Sequence, residues 1–446
     1  MNLRAHVSPD PSWRSRHPVH RFAPRASKRV IQTVDLIYFN AGGGHRAAAQ
    51  ALEQSIHDQG LPWFVRKVNL MQVLDQSGLF RRLTGMEPED LYNKRLATGF
   101  TLGLTQELKL LQGTIRLAQA VMVQRLRAHW QATRPDCVVS LIPNFNRAMH
   151  DSLALACPGV PFVTVLTDMA DHPPHFWIEP DLTQHVVCGT DHAVSQALAA
   201  GCDPSRVHRS SGMILRPEFY DQSPIDRVAE RQRVGFDAHT PIGLVLFGGT
   251  GSRVMKAIAA RLPDTPLILL CGHNEALAES LRAMPARAPR VVVGYTNTVA
   301  RWMRLADFLI GKPGPGSLSE AVHQGLPVIV TRNAWTMPQE RWNTEWIQER
   351  GLGVVHRSFA TVRAAVTEIT RDLPDYQVRV RQMDNRAVFE VPQIIDRILG
   401  RSWALPRPER RIPASVPAPA ECGKVATPYW PSVPDPGRRR SIEGNL

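Results

Sequence analysis

Short runs of β-branched and aliphatic residues alternate with helix-length amphipathic segments along most of this chain, and that alternation limits the fold more than any other feature. In the first half the runs are Val34–Phe39, Phe64–Val68, Cys137–Leu141, Phe162–Leu166 and His185–Cys188. In the second half they are Ile242–Phe247, Leu267–Leu270, Val291–Val293, Phe308–Ile310 and Val328–Val330. Strands separated by helices build parallel α/β units, because only a helical crossover returns the chain to start a parallel neighbour. Each half therefore predicts one doubly wound, Rossmann-like sheet. A chain of 446 residues is also too long for one ordinary core.

The expected organisation is a basic tail over residues 1–30, an N-terminal Rossmann-like domain over 31–216 and a linker over 217–240. A C-terminal Rossmann-like domain over 241–390, a C-terminal helix over 391–400 and a second tail over 401–446 follow. The linker contains Pro217 and Pro224. The segment 401–446 holds nine prolines and the run Arg438-Arg439-Arg440, and such a segment buries too little apolar surface to offset its ordering entropy. Between early strands, Met71–Trp130 looks like a helical insertion. Leu104, Leu108, Leu111, Ile115, Ala118, Met122 and Leu126 recur there every three or four residues, with Lys109, Arg116, Arg125 and Arg127 nearby. That stripe suits a core-facing helix and also a surface that touches lipid.

The net charge of +13 is uneven. Residues 1–30 carry +6 and residues 401–446 carry +4, leaving +3 for the body. A charge confined to tails argues against a nucleic-acid-binding fold and suits either solvated ends or attraction to an anionic membrane. No apolar run reaches the roughly 18 residues of a spanning helix, and residues 1–30 lack the apolar stretch of a secretory signal. The six cysteines, Cys137, Cys157, Cys188, Cys202, Cys271 and Cys422, form no C-x-x-C pair and suit buried thiols in a reducing compartment. His172, His175 and His185 match no zinc spacing.

Three motifs carry chemistry. Asn40-Ala41-Gly42-Gly43-Gly44-His45-Arg46 lies between a strand and a helix, where glycines let the backbone approach a ligand and the helix start offers free N–H groups. His45 at that mouth suits a proton acceptor, or simply an exposed turn residue. Gly311-Lys312-Pro313-Gly314-Pro315-Gly316-Ser317-Leu318-Ser319-Glu320 repeats the arrangement in the second half. It suits a phosphate cradle, although Ser317 and Glu320 also have capping-box spacing. Gln339-Glu340-Arg341-Trp342-Asn343 opens a third helix, with Glu340 suited to two vicinal ribose hydroxyls. Neither glycine turn has the spacing of a P-loop or of G-x-G-x-x-G. Their order is the telling feature, since open α/β sheets bind ligands at the carboxyl ends of their strands.

These motifs, taken together, resemble the monogalactosyldiacylglycerol synthases and related diacylglycerol glucosyltransferases of glycosyltransferase family 28, over roughly Val34 to Val355. Gly42-Gly43-Gly44-His45-Arg46-Ala47 is similar to the family's N-terminal signature. So are Leu166-Thr167-Asp168-Met169 with His172-Pro173 and Phe176-Trp177, and the stretch from Cys188-Gly189-Thr190 to Gly212 and Phe219. Lys312 to Ala321, Gly325-Leu326-Pro327-Val328-Ile329 and the Q-E-x-x-N spacing of Gln339, Glu340 and Asn343 complete the match.

The resemblance implies a GT-B fold of two lobes facing across a cleft. It also implies an inverting transfer of galactose or glucose from a UDP-sugar to the hydroxyl of diacylglycerol or a related lipid. On the donor side it implies uracil against Gly294, Tyr295 and Thr296, and ribose on Glu340. The diphosphate falls at the helix start with Gly314, Gly316 and Ser317, the hexose near Gln339 and Asn343, and Gly249 lines the cleft. On the acceptor side it implies Gly43, Gly44, His172 and Trp177. His45 is the expected base, with Asp168 orienting the imidazole or acting in its place. No cofactor and no metal are expected, since no D-x-D sequence is present. The expected partners are a UDP-hexose, a lipid and an anionic membrane surface, without nucleic acid, for a cytoplasmic protein held peripherally at the inner face of the membrane. Pro338 and Thr250 depart from the family's usual residues. The alternatives are an N-acetylglucosamine transferase acting on a polyprenyl-linked precursor, a GT-B nucleotide-sugar epimerase or hydrolase needing no lipid, and a non-catalytic membrane binder.

Overall fold

A computed structural model of the chain describes residues 31–40, 43–75 and 112–403, the side chains of 401–403 excepted. Gly42, most of the Met71–Trp130 insertion and both tails lie outside the described residues. The first sheet is formed by β1 (Gln32–Tyr38), β2 (Trp63–Asn69), β3 (Cys137–Ser140), β4 (Phe162–Val165), β5 (His185–Cys188) and β6 (Val207–Arg209). The second is formed by β7 (Gly243–Leu246), β8 (Leu267–Leu270), β9 (Arg290–Val293), β10 (Phe308–Gly311), β11 (Val328–Thr331) and β12 (Gly353–His356). Every adjacent pair is parallel.

All ten strand runs found in the sequence are strands. The two that sequence patterning misses, β6 and β12, are sheet edges containing His208, Arg209, Gly353 and His356. An edge strand buries less and carries a weaker apolar signature. Gly353 is required by sterics: a Cβ there would lie 2.0 Å from the Val328 carbonyl oxygen on β11.

The strand orders locate the cleft. The first sheet runs β2-β1-β3-β4-β5-β6 and the second β12-β11-β10-β7-β8-β9. The winding reverses between β1 and β3 and between β7 and β10. Crossovers leaving in opposite directions there open a crevice beyond the carboxyl ends of the strands. The His45 turn follows β1, the Gly248–Ser252 turn follows β7 and the Lys312–Ser317 turn follows β10.

The two lobes share side chains. Met169, Met213, Leu215 and Phe219 pack in one cluster with Leu318, Val322 and Trp346 of the second lobe. Met337 reaches back to Phe176, Trp177 and Ile178 of the first. The connection after Arg216 is tied down: its helix Arg227–Arg233 places Arg231, 3% exposed, on the Leu305 carbonyl and on Asp307, which also accepts from the Ile242 N–H. In the insertion, Met122, Leu126 and Trp130 face the first core, as a core-facing helix requires.

The last described helix runs Ala387–Trp403, starting before the expected 391. Val391, Ile394, Ile395, Ile398 and Leu399 enter the core of the first sheet beside Leu52, Ile56 and Val139. A segment following the second lobe thus completes the first. Ile395→Ala should cost about 2–5 kcal/mol of unfolding free energy, measured by urea denaturation, because the side chain is fully buried. A loss below about 0.5 kcal/mol would show that this helix is not part of the first core.

Candidate active site

On the first lobe, the turn after β1 uses glycine for a conformational reason. Gly43 has φ of 79° and precedes the helix Gly44–Asp58, which has no side-chain N-cap. His45, the second helical residue, is half-buried. Its Nδ1 lies 3.1 Å from Thr167 Oγ1, and its ring centroid is 6.0 Å from that of Trp177 and 6.5 Å from that of Phe39. Burial pushes the imidazole pKa down to about 4, opposed by a hydrogen bond with the Leu141 backbone just beyond β3. His45 is therefore neutral at neutral pH.

Asp168 is adjacent in sequence but engaged elsewhere. The bend after β4 turns Thr167 toward His45 and Asp168 toward Trp177, whose Nε1–H donates to Asp168 Oδ2 at 2.9 Å. The expectation that Asp168 orients the His45 ring is corrected: Thr167 occupies that position. Burial raises the Asp168 pKa to about 7, opposed by the Trp177 hydrogen bond. Glu340 raises it further and Lys312 lowers it, so this first-lobe carboxyl senses both charges of the second lobe.

Asp171 organises the same loop. Its two carboxylate oxygens accept from the Trp177 N–H at 2.6 Å and the His175 N–H at 3.0 Å. Sequence reasoning passed over Asp171, whose role is visible only in space. His172 is half-buried, and its pKa is lowered by burial and then by Arg341 of the second lobe. His175 faces the Ile178 carbonyl and His185 faces His208, so these histidines have separate partners.

On the second lobe, Lys312 leaves β10 and its Nζ lies 2.7 Å from Glu340 Oε1, with Glu340 only 5% exposed. The helix Pro315–His323 begins at Gly314 with no side-chain cap, leaving its first N–H groups available for an anion. A Cβ on Gly314 would stand 3.3 Å from Lys312 Cε and 3.4 Å from Glu340 Oε1, so the backbone here runs close to the ion pair. The capping-box expectation is corrected: the helix starts earlier than that box requires, and the Ser317 hydroxyl donates to the Gly314 carbonyl. Glu320 lies 3.7 Å from Arg216 instead, and burial raises its pKa to about 7.

Gln339 and Asn343 are both buried. Asn343 Nδ2 donates to the Pro313 carbonyl at 2.8 Å, while Asn343 Oδ1 and Gln339 Oε1 have no hydrogen-bond partner. An unsatisfied buried acceptor costs about 1–3 kcal/mol, so two of them beside the Lys312–Glu340 pair suit the hydroxyl groups of a bound ligand.

The Gly248–Ser252 turn packs on the loop after β8. Gly248 has φ of 80°, and His273 N–H donates to the Gly249 carbonyl at 2.9 Å. His273 stacks on Tyr295, with centroids 4.0 Å apart and planes 19° apart, beside Gly294 and Thr296. His273 had no sequence signal, since only the fold brings it to that loop. Trp342 turns from the donor motif to stack on His192 of the first lobe at 4.5 Å. Together with Trp346 it lines a separate interlobe cavity of ≈ 540 Å³. The five described cysteines are buried, with Cys271 pushed up to about 11 and Cys188 to about 12, far from a reactive thiolate.

The arrangement matches solved glycosyltransferases in fold. The structure of Acinetobacter baumannii MurG superposes with a TM-score of 0.55 at 13% identity, covering 82% of this chain and 99% of that one. The glycosyltransferase SnogD from Streptomyces nogalater gives 0.50 at 16% identity, covering 83% and 100%. The fold is GT-B. Residues 45–210 match the family described as monogalactosyldiacylglycerol (MGDG) synthase. Together these findings define the chain as a glycosyltransferase. The chloroplastic monogalactosyldiacylglycerol synthase of Spinacia oleracea is 25% identical over 389 residues, covering 79% of this chain and 68% of that protein. A probable monogalactosyldiacylglycerol synthase 2 of Oryza sativa subsp. indica is 28% identical over 290 residues, covering 59% of each. The chain thus spans about three fifths of that rice protein. It is a relative of the monogalactosyldiacylglycerol synthases.

The raised Asp168 pKa fixes the sign of a stability effect. Its contribution is fully present below the unfolded carboxyl value of about 4 and is lost as pH rises through about 7. Asp168→Asn, which cannot ionise, should therefore gain thermal stability relative to the wild type between pH 5 and pH 8. A constant difference in Tm across that range would show that the carboxyl is not desolvated.

Proposed function

We propose that this glycosyltransferase moves galactose or glucose from a UDP-sugar to the hydroxyl of diacylglycerol or a related lipid, with inversion at the anomeric carbon. One observation carries the reading. Buried Asp168, on the lobe that carries the neutral His45, interacts electrostatically with Glu340 and Lys312 of the other lobe, whose uncapped helix start and unpaired Gln339 and Asn343 acceptors belong to the same motifs. The first group suits an incoming hydroxyl and the second an activated sugar.

The uncapped N–H groups at Gly314–Ser317, with Lys312 alongside, would hold the diphosphate and offset the charge that develops on departing UDP. Glu340 would accept from the ribose hydroxyls, and Gln339 Oε1 with Asn343 Oδ1 from the hexose. Tyr295 on its His273 stack would border the base. His45 would take the proton of the acceptor hydroxyl as its oxygen attacks the anomeric carbon. The bond from that carbon to the phosphate oxygen would break with its electrons leaving on UDP. Burial keeps the imidazole unprotonated beforehand, and the donor's negative charge would raise its basicity once bound. Lys312 and the helix dipole can neutralise charge here without a metal, which supports a metal-independent reaction.

Peripheral membrane contact has separate support. No helix among the described residues is long and apolar enough to cross a membrane. Leu117, 90% exposed, and Val121, 53% exposed, lie on the surface of the helical insertion near exposed Arg116 and Arg127. Apolar and cationic residues on one surface favour anionic interfaces.

Purified protein offered UDP-galactose, UDP-glucose and UDP-N-acetylglucosamine against diacylglycerol and polyprenyl-linked acceptors should give a glycosyl-diacylglycerol with one of the first two donors. Turnover of the UDP-sugar without a lipid acceptor would favour an epimerase or hydrolase. His45→Ala should lower transfer by about 10²–10⁴-fold while UDP affinity stays near the wild-type value. Retained turnover would remove His45 from the role.

A further inference from the structure

The His45 imidazole has two nitrogens, and only one can accept a proton from the acceptor hydroxyl. If Nδ1 carries the hydrogen, Nε2 holds a free lone pair; if Nε2 carries it, that nitrogen is useless as a base. A hydrogen-bond partner at either nitrogen biases the tautomer; the Leu141 backbone also bonds this ring, and the contact assigned to a particular nitrogen is the one at Nδ1. Asp168, the neighbouring acid, is held by Trp177 Nε1–H. The group at Nδ1 is the Thr167 hydroxyl, 3.1 Å away. Around the ring stand Trp177, Phe39 and the Leu141 backbone, and none of them brings a charge.

We propose that Thr167 is the positioning residue of the active site: its Oγ1 accepts from His45 Nδ1–H, fixes the ring and leaves Nε2 as the proton acceptor. The proposal rests on the glycosyl-transfer reading and adds to it a residue that acts through His45 without touching the substrate. In the step that follows, the acceptor O–H proton passes to Nε2. The oxygen forms its bond to the anomeric carbon, and the electron pair of the broken carbon–oxygen bond leaves on the diphosphate. The imidazolium gains one positive charge as UDP gains one negative charge. A hydroxyl in this position has a consequence that a carboxylate would not have. It orients the ring without adding a negative charge beside the diphosphate, where a second anion would oppose donor binding.

Two measurements test it. Long-range ¹H–¹⁵N spectra of histidine-labelled full-length protein near pH 7, with the His45 signals identified by their loss in His45→Gln, should show the Nδ1–H tautomer. The Nε2–H tautomer would overturn the proposal. In turnover assays, Thr167→Val should lower kcat by about 10-fold or more with the donor KM within about two-fold of wild type, while Thr167→Ser, which keeps the hydroxyl, should restore most of the rate. Wild-type turnover by Thr167→Val, or no rescue by Thr167→Ser in a protein that melts like the wild type, would also overturn it. Should Thr167→Val fail to fold, the wild-type tautomer and the Thr167→Ser rate decide. The spectra need no substrate, so absence of sugar transfer by the wild type would defeat the functional reading while the tautomer still judged the role of Thr167.

Discussion

Two parallel sheets, each forced to reverse its winding once, govern everything else in this molecule. A parallel strand pair needs a crossover, and crossovers leaving in opposite directions from adjacent strands leave a gap that neither covers. The gaps fall between β1 and β3 and between β7 and β10. The turns that follow these strands supply His45 and the Leu141 backbone on one lobe, and Gly248–Ser252 and Lys312–Ser317 on the other. Because each turn follows a short buried strand, its backbone is anchored at one end by apolar burial, and glycine then supplies the bend at Gly43 and Gly248.

Electrostatics across the gap then separate the roles of the titratable groups. Desolvation acts on His45 and Asp168 in opposite senses, lowering the imidazole pKa to about 4 and raising the carboxyl pKa to about 7. Lys312 and Glu340 keep opposite charges in contact at 2.7 Å, so a buried carboxylate is not left alone. A ligand that takes hydrogen bonds from Lys312 with its phosphates and gives them to Glu340 from its hydroxyls matches both members at once. The free acceptors of Gln339 and Asn343 extend the same logic to a further set of hydroxyls.

How much of this was legible in the sequence depended on whether the signal was local. Buried central strands were legible because their residues are apolar throughout; β6 and β12 were not, because an edge tolerates His208, Arg209 and His356. The glycine turns were legible from their place between strand and helix. The choice between Thr167 and Asp168 as partner of His45 was not, since the bend after β4 decides where each side chain points. At the second glycine turn two readings stood side by side, and proline at the first helical position with a preceding glycine prevailed over the Ser317–Glu320 capping-box spacing. Trp342 stands between Glu340 and Asn343 in the donor motif. On a helix, however, positions three and four apart share a face and adjacent positions do not, so Trp342 faces His192 while its neighbours face the cleft.

The two places where the chain crosses between lobes are themselves joined. Ser211 donates its N–H and hydroxyl to Glu390 Oε2 at 2.7 and 2.9 Å, and Asn385 Nδ2 donates to the Met213 carbonyl at 3.0 Å. A Cβ on Gly212 would lie 2.6 Å from the Asn385 side-chain amide, so that amide packs directly on the backbone of the first crossing. The lobes are thus tied at both crossings as well as through the shared clusters around Met213 with Leu318 and around Trp177 with Met337. The ≈ 540 Å³ cavity is lined by Gly212, Met213 and Asn385 and bordered by the His192–Trp342 stack, with Arg350 and Asp191 3.6 Å apart across it.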